Sequence, residues 1–215
     1  MTQHPILWSF RRCPYAMRAR LAVLSAGIKV ELREILLREK PPAFLQTSAS
    51  ATVPALRLKD QVLDESLDIM VWALEQNDPQ RLLDMPKEGW DLIAVNDGPF
   101  KLALDHTKYA SRYPEIDNLA EREKAARYLV ELDQRLAGQG QLFDDRPTLA
   151  DLALLPFVRQ FAHIDRAWFD RQDWPNLITW LDRFLESKPF TSIMKKYAPW
   201  SAGDAPVWFG AQASY

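Results

Sequence analysis

The sequence predicts an α/β unit followed by an all-helical unit, and three observations predict it. Residues 1–77 mix strand and helix signals, whereas every periodic segment from 87 to 215 reads helical. Between them, Asn77–Pro86 is broken by Asp78-Pro79 and Met85-Pro86, the punctuation of a linker. Six of the eight tryptophans fall after that break, as expected of a core built from large helix-borne side chains. At a prior of ~150 residues per domain, 215 residues suit one large or two small domains. The pattern favours two, 1–77 and 87–215.

The elements follow in order. Ile6-Leu7-Trp8-Ser9-Phe10 is a short apolar run ended by Arg11 and Arg12, the signature of a buried strand. From Pro14 to Ala26 helix formers dominate, with Met17, Leu21 and Leu24 at helical spacing. Pro14 suits the first helical position and Gly27 the stop. Residues 28–33 alternate apolar and polar as a half-buried strand does, and a loop carrying Pro41-Pro42 follows. Residues 53–58 and 61–63, joined by Lys59-Asp60, read as a hairpin, and a helix runs from Ser66 to Gln76. The strands flanking the first helix should be parallel, with the hairpin adding antiparallel neighbours. Beyond the linker, helices are expected over Lys87–Tyr109, Asp117–Ala137, Thr148–His163 and Pro175–Glu186. Thr148 and Asp151 form a capping-box pattern at the third of these.

Composition excludes several function classes. The 27 Lys+Arg against 29 Asp+Glu lack the basic excess of a nucleic-acid binder. His4, His106 and His163 are scattered, so no metal site is expected. Gly138 and Gly140 are followed by neither phosphate-loop nor dinucleotide spacing, so no nucleotide is expected either. No run approaches the ~18–20 apolar residues of a membrane span. The N-terminus has no secretory pattern, and a cytoplasmic protein is expected. One cysteine, Cys13, excludes an internal disulfide, a multi-cysteine zinc site and a dithiol redox pair within the chain.

Cys13 falls where the first strand hands over to the first helix, directly before Pro14. That is an N-cap position, where backbone N–H groups and the helix dipole favour negative charge. Arg11, Arg12 and Arg18 are its nearest charges in sequence. A thiol so placed should exist substantially as thiolate near neutral pH, the form that thiol–disulfide exchange requires.

Cys13-Pro14-Tyr15-Ala16 resembles the Cys-Pro-Tyr-Cys of glutaredoxins with alanine in place of the second cysteine. The longer stretch Arg12–Leu21, with Gly27-Ile28 behind it, resembles the cysteine-type, omega-like cytosolic glutathione transferases. The resemblance implies a thioredoxin-like N-terminal domain, an all-helical C-terminal domain, glutathione as cosubstrate and a homodimer. It also implies site residues. Val53-Pro54 resembles the family's Val–cis-Pro pair, whose backbone pairs with the cysteinyl unit of glutathione as an added strand. Glu65-Ser66 resembles the pair that holds the γ-glutamyl end, with Ser66 and a helix N-terminus for the carboxylate and Glu65 for the ammonium. Lys40 matches a lysine expected near the glycyl carboxylate. The segment 47–52 departs from the family's Asn-Pro-x-Gly-type turn, having neither proline nor glycine.

The resemblance further implies a second-substrate pocket, with Phe10, Arg11, Tyr15, Phe100, Leu104, Lys108 and Tyr109 as candidates. The expected activity is a glutathione-dependent thiol transferase or reductase using Cys13 by a monothiol route. Its second substrate is expected to be a small molecule or a thiol-containing one. Two alternatives stand beside it. A hydroxyl, Ser9 or Tyr15, could activate glutathione for conjugation, or the chain could be a non-catalytic binding relative.

Overall fold

The computed structural model describes residues 4–210. The chain divides into two compact units: residues up to Leu83 with those from Ser187 onward, and Asp84–Glu186. The division after Leu83 falls within the segment Asn77–Pro86. The expectation that everything beyond 87 belongs to one helical unit is corrected, because the final segment returns to the first unit.

In the first unit, strand β1 (Ile6–Ser9) leads into helix α1 (Pro14–Ser25) and then strand β2 (Val30–Glu34). Pro14 is the first helical residue, and Gly27 adopts φ +66° just beyond the helix, a conformation that glycine reaches without steric penalty. The next helix, α2 (Pro42–Thr47), lies where the sequence suggested only a loop. Its two prolines are compatible with a helix because Pro41 is the N-cap and Pro42 the first residue, where no intrahelical N–H is needed. Strands β3 (Ala55–Arg57) and β4 (Val62–Leu63) form the expected hairpin, and α3 (Ser66–Gln76) follows.

Strand β1 pairs parallel to β2 and antiparallel to β3. Alternation along β1 decides what each face buries. Ile6 and Trp8 join Phe44 of α2, Ile35, Val53 and Ala55 in one cluster, with the Trp8 and Phe44 rings 5.5 Å apart. Leu7 and Ser9 take the opposite face, where Ser9 Oγ accepts from Arg20 of α1 and α1 packs against α3. Phe44 is fully buried, so truncation to alanine would cost about 3–5 kcal/mol.

The linker is fixed by Asp78, which accepts from the N–H groups of Leu82 and Leu83 at 2.8 and 2.9 Å. The second unit then runs α4 (Lys87–Val95), a π-helical turn (Asn96–Phe100), α5 (Lys101–Lys108), α6 (Asn118–Leu136), α7 (Leu149–Ala162), α8 (Arg166–Phe169) and α9 (Pro175–Glu186). The π turn contains Gly98 and Pro99; proline lacks the N–H that a continuing α-helix would use. The capping box is formed. Asp151 Oδ2 accepts from Thr148 N and Oγ1 at 2.7 and 2.8 Å, and Oδ1 accepts from Leu142 N at 3.0 Å.

The last segment supplies α10 (Lys188–Ile193) and β5 (Trp208–Phe209). Strand β5 pairs antiparallel with β2, completing a sheet of order β4-β3-β1-β2-β5. On the way, Trp200 N donates to Glu34 O at 2.8 Å, and the Trp200 ring meets Trp8 edge-on at 5.1 Å. The Arg33 guanidinium lies over both indoles, at 4.9 and 4.4 Å from their centroids. Among the described residues, no helix is long and apolar enough to cross a membrane.

Candidate functional site

Cys13 is the N-cap of α1, with extended φ/ψ of −74° and 123°. Its N–H donates to Phe10 O at 3.0 Å, closing the turn that ends β1, and its carbonyl accepts the first helical bond from Met17 N at 2.9 Å. The side chain is half-buried against the Trp8–Phe44 cluster. Its thiol donates to Val53 O at 3.5 Å. The Val53–Pro54 peptide is cis.

A cleft of about 450 Å³ opens beside the thiol, wholly within the first unit. It brings together Cys13, Tyr15, Lys40, Val53, Pro54, Glu65 and Ser66. Thus each residue singled out around the thiol for glutathione contact reaches the same cavity, and Tyr15 joins them. Leu37, Ala51, Thr52 and Asp64 complete the lining and were not singled out.

One end of the cleft is the start of α3. Glu65 is its exposed N-cap and Ser66 its first residue, 2% exposed. A helix N-terminus with a serine hydroxyl offers donors to a carboxylate, and the Glu65 side chain offers an acceptor to an ammonium. Ser66 is set in place by α1, because Arg18 Nε donates to Ser66 Oγ at 2.9 Å.

The segment 47–52 is held without proline or glycine. Asp64 Oδ1 accepts from Ser48 Oγ at 2.6 Å, and Oδ2 accepts from Ser50 N at 2.9 Å. Ser50 Oγ and Thr52 Oγ1 are 2.6 Å apart. This network carries Ala51 at φ +53°, a left-handed conformation that an L-residue adopts at some cost. A run of Ser and Thr facing a later Asp was the available sequence signal.

The three arginines nearest Cys13 in sequence each have contacts of their own. Arg18 serves Ser66, Arg12 lies over the Phe10 ring at 5.5 Å, and Arg11 Nη1 stands 3.5 Å from Met194 O. A buried cation beneath the turn is Arg20, in the second turn of α1 and 1% exposed. Burial lowers its pKa to about 10, and electrostatic interaction with Glu34 and Cys13 opposes that drop.

The other candidates separate. Ser9 is fully buried with its hydroxyl engaged by Arg20, so the expectation that it could activate a cosubstrate is corrected. Phe100 and Leu104 are corrected from pocket lining to core of the helical unit. They are 2% and 0% exposed, and the Phe100 ring packs on Tyr128 and Phe161 at 4.8 and 6.0 Å. Lys108 is exposed and lies over the half-buried Tyr109 ring at 5.1 Å. Phe10 packs against the Trp8–Phe44 cluster. Among the described residues, no group of His, Cys, Asp and Glu is arranged to hold a metal ion.

The geometry is that of a half-buried thiol at a helix start, beside donors for one carboxylate and an acceptor for one ammonium. Comparison with known proteins gives the same emphasis. Residues 7–82 match the family model for the glutathione S-transferase N-terminal domain, and residues 108–183 match that for the C-terminal domain. Glutathione S-transferase sirG of Leptosphaeria maculans is 42% identical over 73 residues, 32% of this chain and 30% of that protein. Probable glutathione S-transferase DHAR2, chloroplastic, of Oryza sativa subsp. japonica is 23% identical over 178 residues, 81% of this chain and 61% of that protein. The chain therefore spans less than two-thirds of the length of these curated relatives. A glutathione transferase family member from Pseudomonas fluorescens, solved with two glutathione molecules bound, superposes with a TM-score of 0.74. It is 20% identical, over 90% of this chain and 93% of that one. A serine-to-cysteine mutant of poplar glutathione transferase F1 superposes equally well, at 0.74 and 16% identity, over 89% of this chain and 97% of its own. At these identities the structural likeness is one of fold.

Proposed function

The chain belongs to the glutathione S-transferase superfamily, and from that premise we propose that it is a glutathione-dependent thiol transferase acting through Cys13 by a monothiol route. The observation that carries this reading is the lone thiol of the α1 N-cap residue at the wall of the cleft. Helix N-termini stabilise a thiolate, and thiolate is the attacking form.

Glutathione in this reading lies along the cleft as an added strand against Val53, ahead of Pro54. Its γ-glutamyl carboxylate takes donors from Ser66 and the start of α3, its ammonium faces Glu65, and its glycyl carboxylate faces Lys40. The Cys13 thiolate attacks the glutathionyl sulfur of a mixed disulfide. A Cys13–glutathione disulfide forms, and the bond to the substrate sulfur breaks. The substrate leaves as a thiolate and takes a proton from water. A second glutathione thiolate then attacks the glutathionyl sulfur, forming oxidised glutathione and releasing the Cys13 thiolate. Alanine at position 16 leaves no resolving thiol in the chain, so the second glutathione is required. Dehydroascorbate and small glutathionyl adducts are further substrates open to the same thiol.

Conjugation by an activated glutathione thiolate is the weaker reading. Ser9 is out of reach of the cleft, and Tyr15 is the remaining hydroxyl of that pair at its wall. Intact mass after incubation with oxidised glutathione tests the proposal. Wild type is expected to gain one glutathionyl adduct, and Cys13→Ser none. Absence of the adduct on wild type, or full reductase turnover of a glutathione mixed disulfide by Cys13→Ser, overturns the monothiol route.

A further inference from the structure

The turn that presents Cys13 is gripped at both polar ends of one residue. The N–H of Arg11 donates to Glu34 Oε1 at 2.6 Å, and the Arg11 carbonyl accepts from Arg20 Nη2 at 2.7 Å. Arg20 Nη1 also donates to Ser9 Oγ, so one guanidinium ties α1 to the end of β1 and to the turn. Glu34, at the end of β2, holds the other side. Both side chains are buried, Arg20 at 1% and Glu34 at 8% exposure.

A buried guanidinium is a costly way to hold a turn, since its charge loses solvation and its Nε finds no hydrogen-bond partner among the described residues. Its surroundings give the charge a use. The titratable and charged groups acting on Arg20 are Glu34 from β2, Arg11 and Cys13 from the turn, and Tyr197 from the segment after α10. Burial raises the carboxyl of Glu34 and the phenol of Tyr197 above their ordinary values. Arg20 itself is lowered only to about 10, so it stays charged near neutral pH, and the thiol is one of the groups its charge stabilises as an anion.

We propose that Arg20 and Glu34 are positioning residues for the thiol: together they fix Arg11 so that Cys13 caps α1, and they bias its ionisation in opposite directions, Arg20 raising the thiolate population and Glu34 lowering it. The inference rests on Cys13 being the reacting group.

Opposite signs make the test decisive, because simple loosening of the turn would move both variants the same way. In the full chain, the thiolate ultraviolet absorbance is followed against pH, and iodoacetamide alkylation is timed by intact mass at about pH 6. Arg20→Met is expected to slow alkylation about tenfold, equivalent to one pH unit in the thiol titration. Arg20→Lys, which keeps the charge but not the fork, is expected to stay within about threefold of wild type. Glu34→Gln, which keeps an acceptor for Arg11 N–H, is expected to alkylate faster than wild type. Equal or same-sign changes in Arg20→Met and Glu34→Gln overturn the proposal. If circular dichroism shows Arg20→Met unfolded, Glu34→Gln decides, and alkylation no faster than wild type overturns it. No glutathione enters the measurement. A missing glutathione adduct with these responses intact therefore refutes the thiol transferase reading alone.

Discussion

Arg18 Nε donates to Ser66 Oγ across 2.9 Å, and both side chains are 2% exposed. The bond joins the helix that begins at the thiol to the helix that begins at the far end of the cleft. Because the guanidinium takes an acceptor position on the hydroxyl, the hydroxyl hydrogen remains available to donate to a ligand.

Ser66→Ala is expected to act on binding and on the fold together. Glutathione KM rises about tenfold, while kcat at saturating glutathione stays within about twofold. Loss of the charge-assisted bond lowers unfolding free energy by about 1.5–3 kcal/mol in a urea titration. A twofold or smaller change in KM removes Ser66 from the γ-glutamyl site.

Asp64→Ala deletes the acceptors of Ser48 Oγ and Ser50 N. The expected loss is about 1–2 kcal/mol of stability, with weaker glutathione binding because Ala51 and Thr52 line the cleft. Calorimetric titration of glutathione and a melting curve check both parts.

Glu121 ties α5 to α6 by accepting from Lys124 and pairing with His106 Nδ1 at 3.0 Å. The hydrogen bond from Lys124 leads the causes that hold its carboxyl below the ordinary value of 4.5. A depressed folded pKa contributes stability that is present above the unfolded value and lost as pH falls through the folded one. Glu121→Gln should thus be less stable than wild type by about 1 kcal/mol near neutral pH. That gap should close in acid, below the glutamate range. A gap that stays constant with pH, in urea titrations across that range, contradicts the assignment.

Gly210 follows β5 at φ +89°, and a Cβ there would lie 2.0 Å from the carbonyl oxygen of Ile28. Gly210→Ala must push β5 away from the chain leading into β2. The expected cost is about 1–3 kcal/mol, with changed emission from Trp208, whose ring packs on His4 at 4.9 Å. Unchanged melting and fluorescence would show that the strand end relaxes freely.

The elements near the thiol were legible because local chemistry specifies them. Pro14 and Gly27 bracket α1, and Thr148 with Asp151 starts α7. The cleft residues were legible through motif resemblance, and they meet in one cavity. What escaped depends on partners distant in sequence. The Arg18–Ser66 and Glu34–Arg11 bonds join residues 48 and 23 positions apart. Strand β5 has two residues, too few for alternation to register. Phe100 and Leu104 sit at helical spacing that suits either a pocket or a core, and only packing separates the two. Helix α2 was hidden by Pro41-Pro42, which read as a breaker but acts as a start.

The return of the last segment to the first sheet has a consequence for biosynthesis. The unit that carries Cys13 is begun on the ribosome before Asp84–Glu186 and finished only after the whole of that segment has emerged. At about 5–20 residues per second, β2 waits on the order of ten seconds for the strand that covers its edge. During that interval the backbone that later pairs with Trp208 and Phe209 is open to any extended peptide nearby. The sheet edge that the nascent chain leaves open until then is the one whose last residue, Glu34, holds the turn before the thiol.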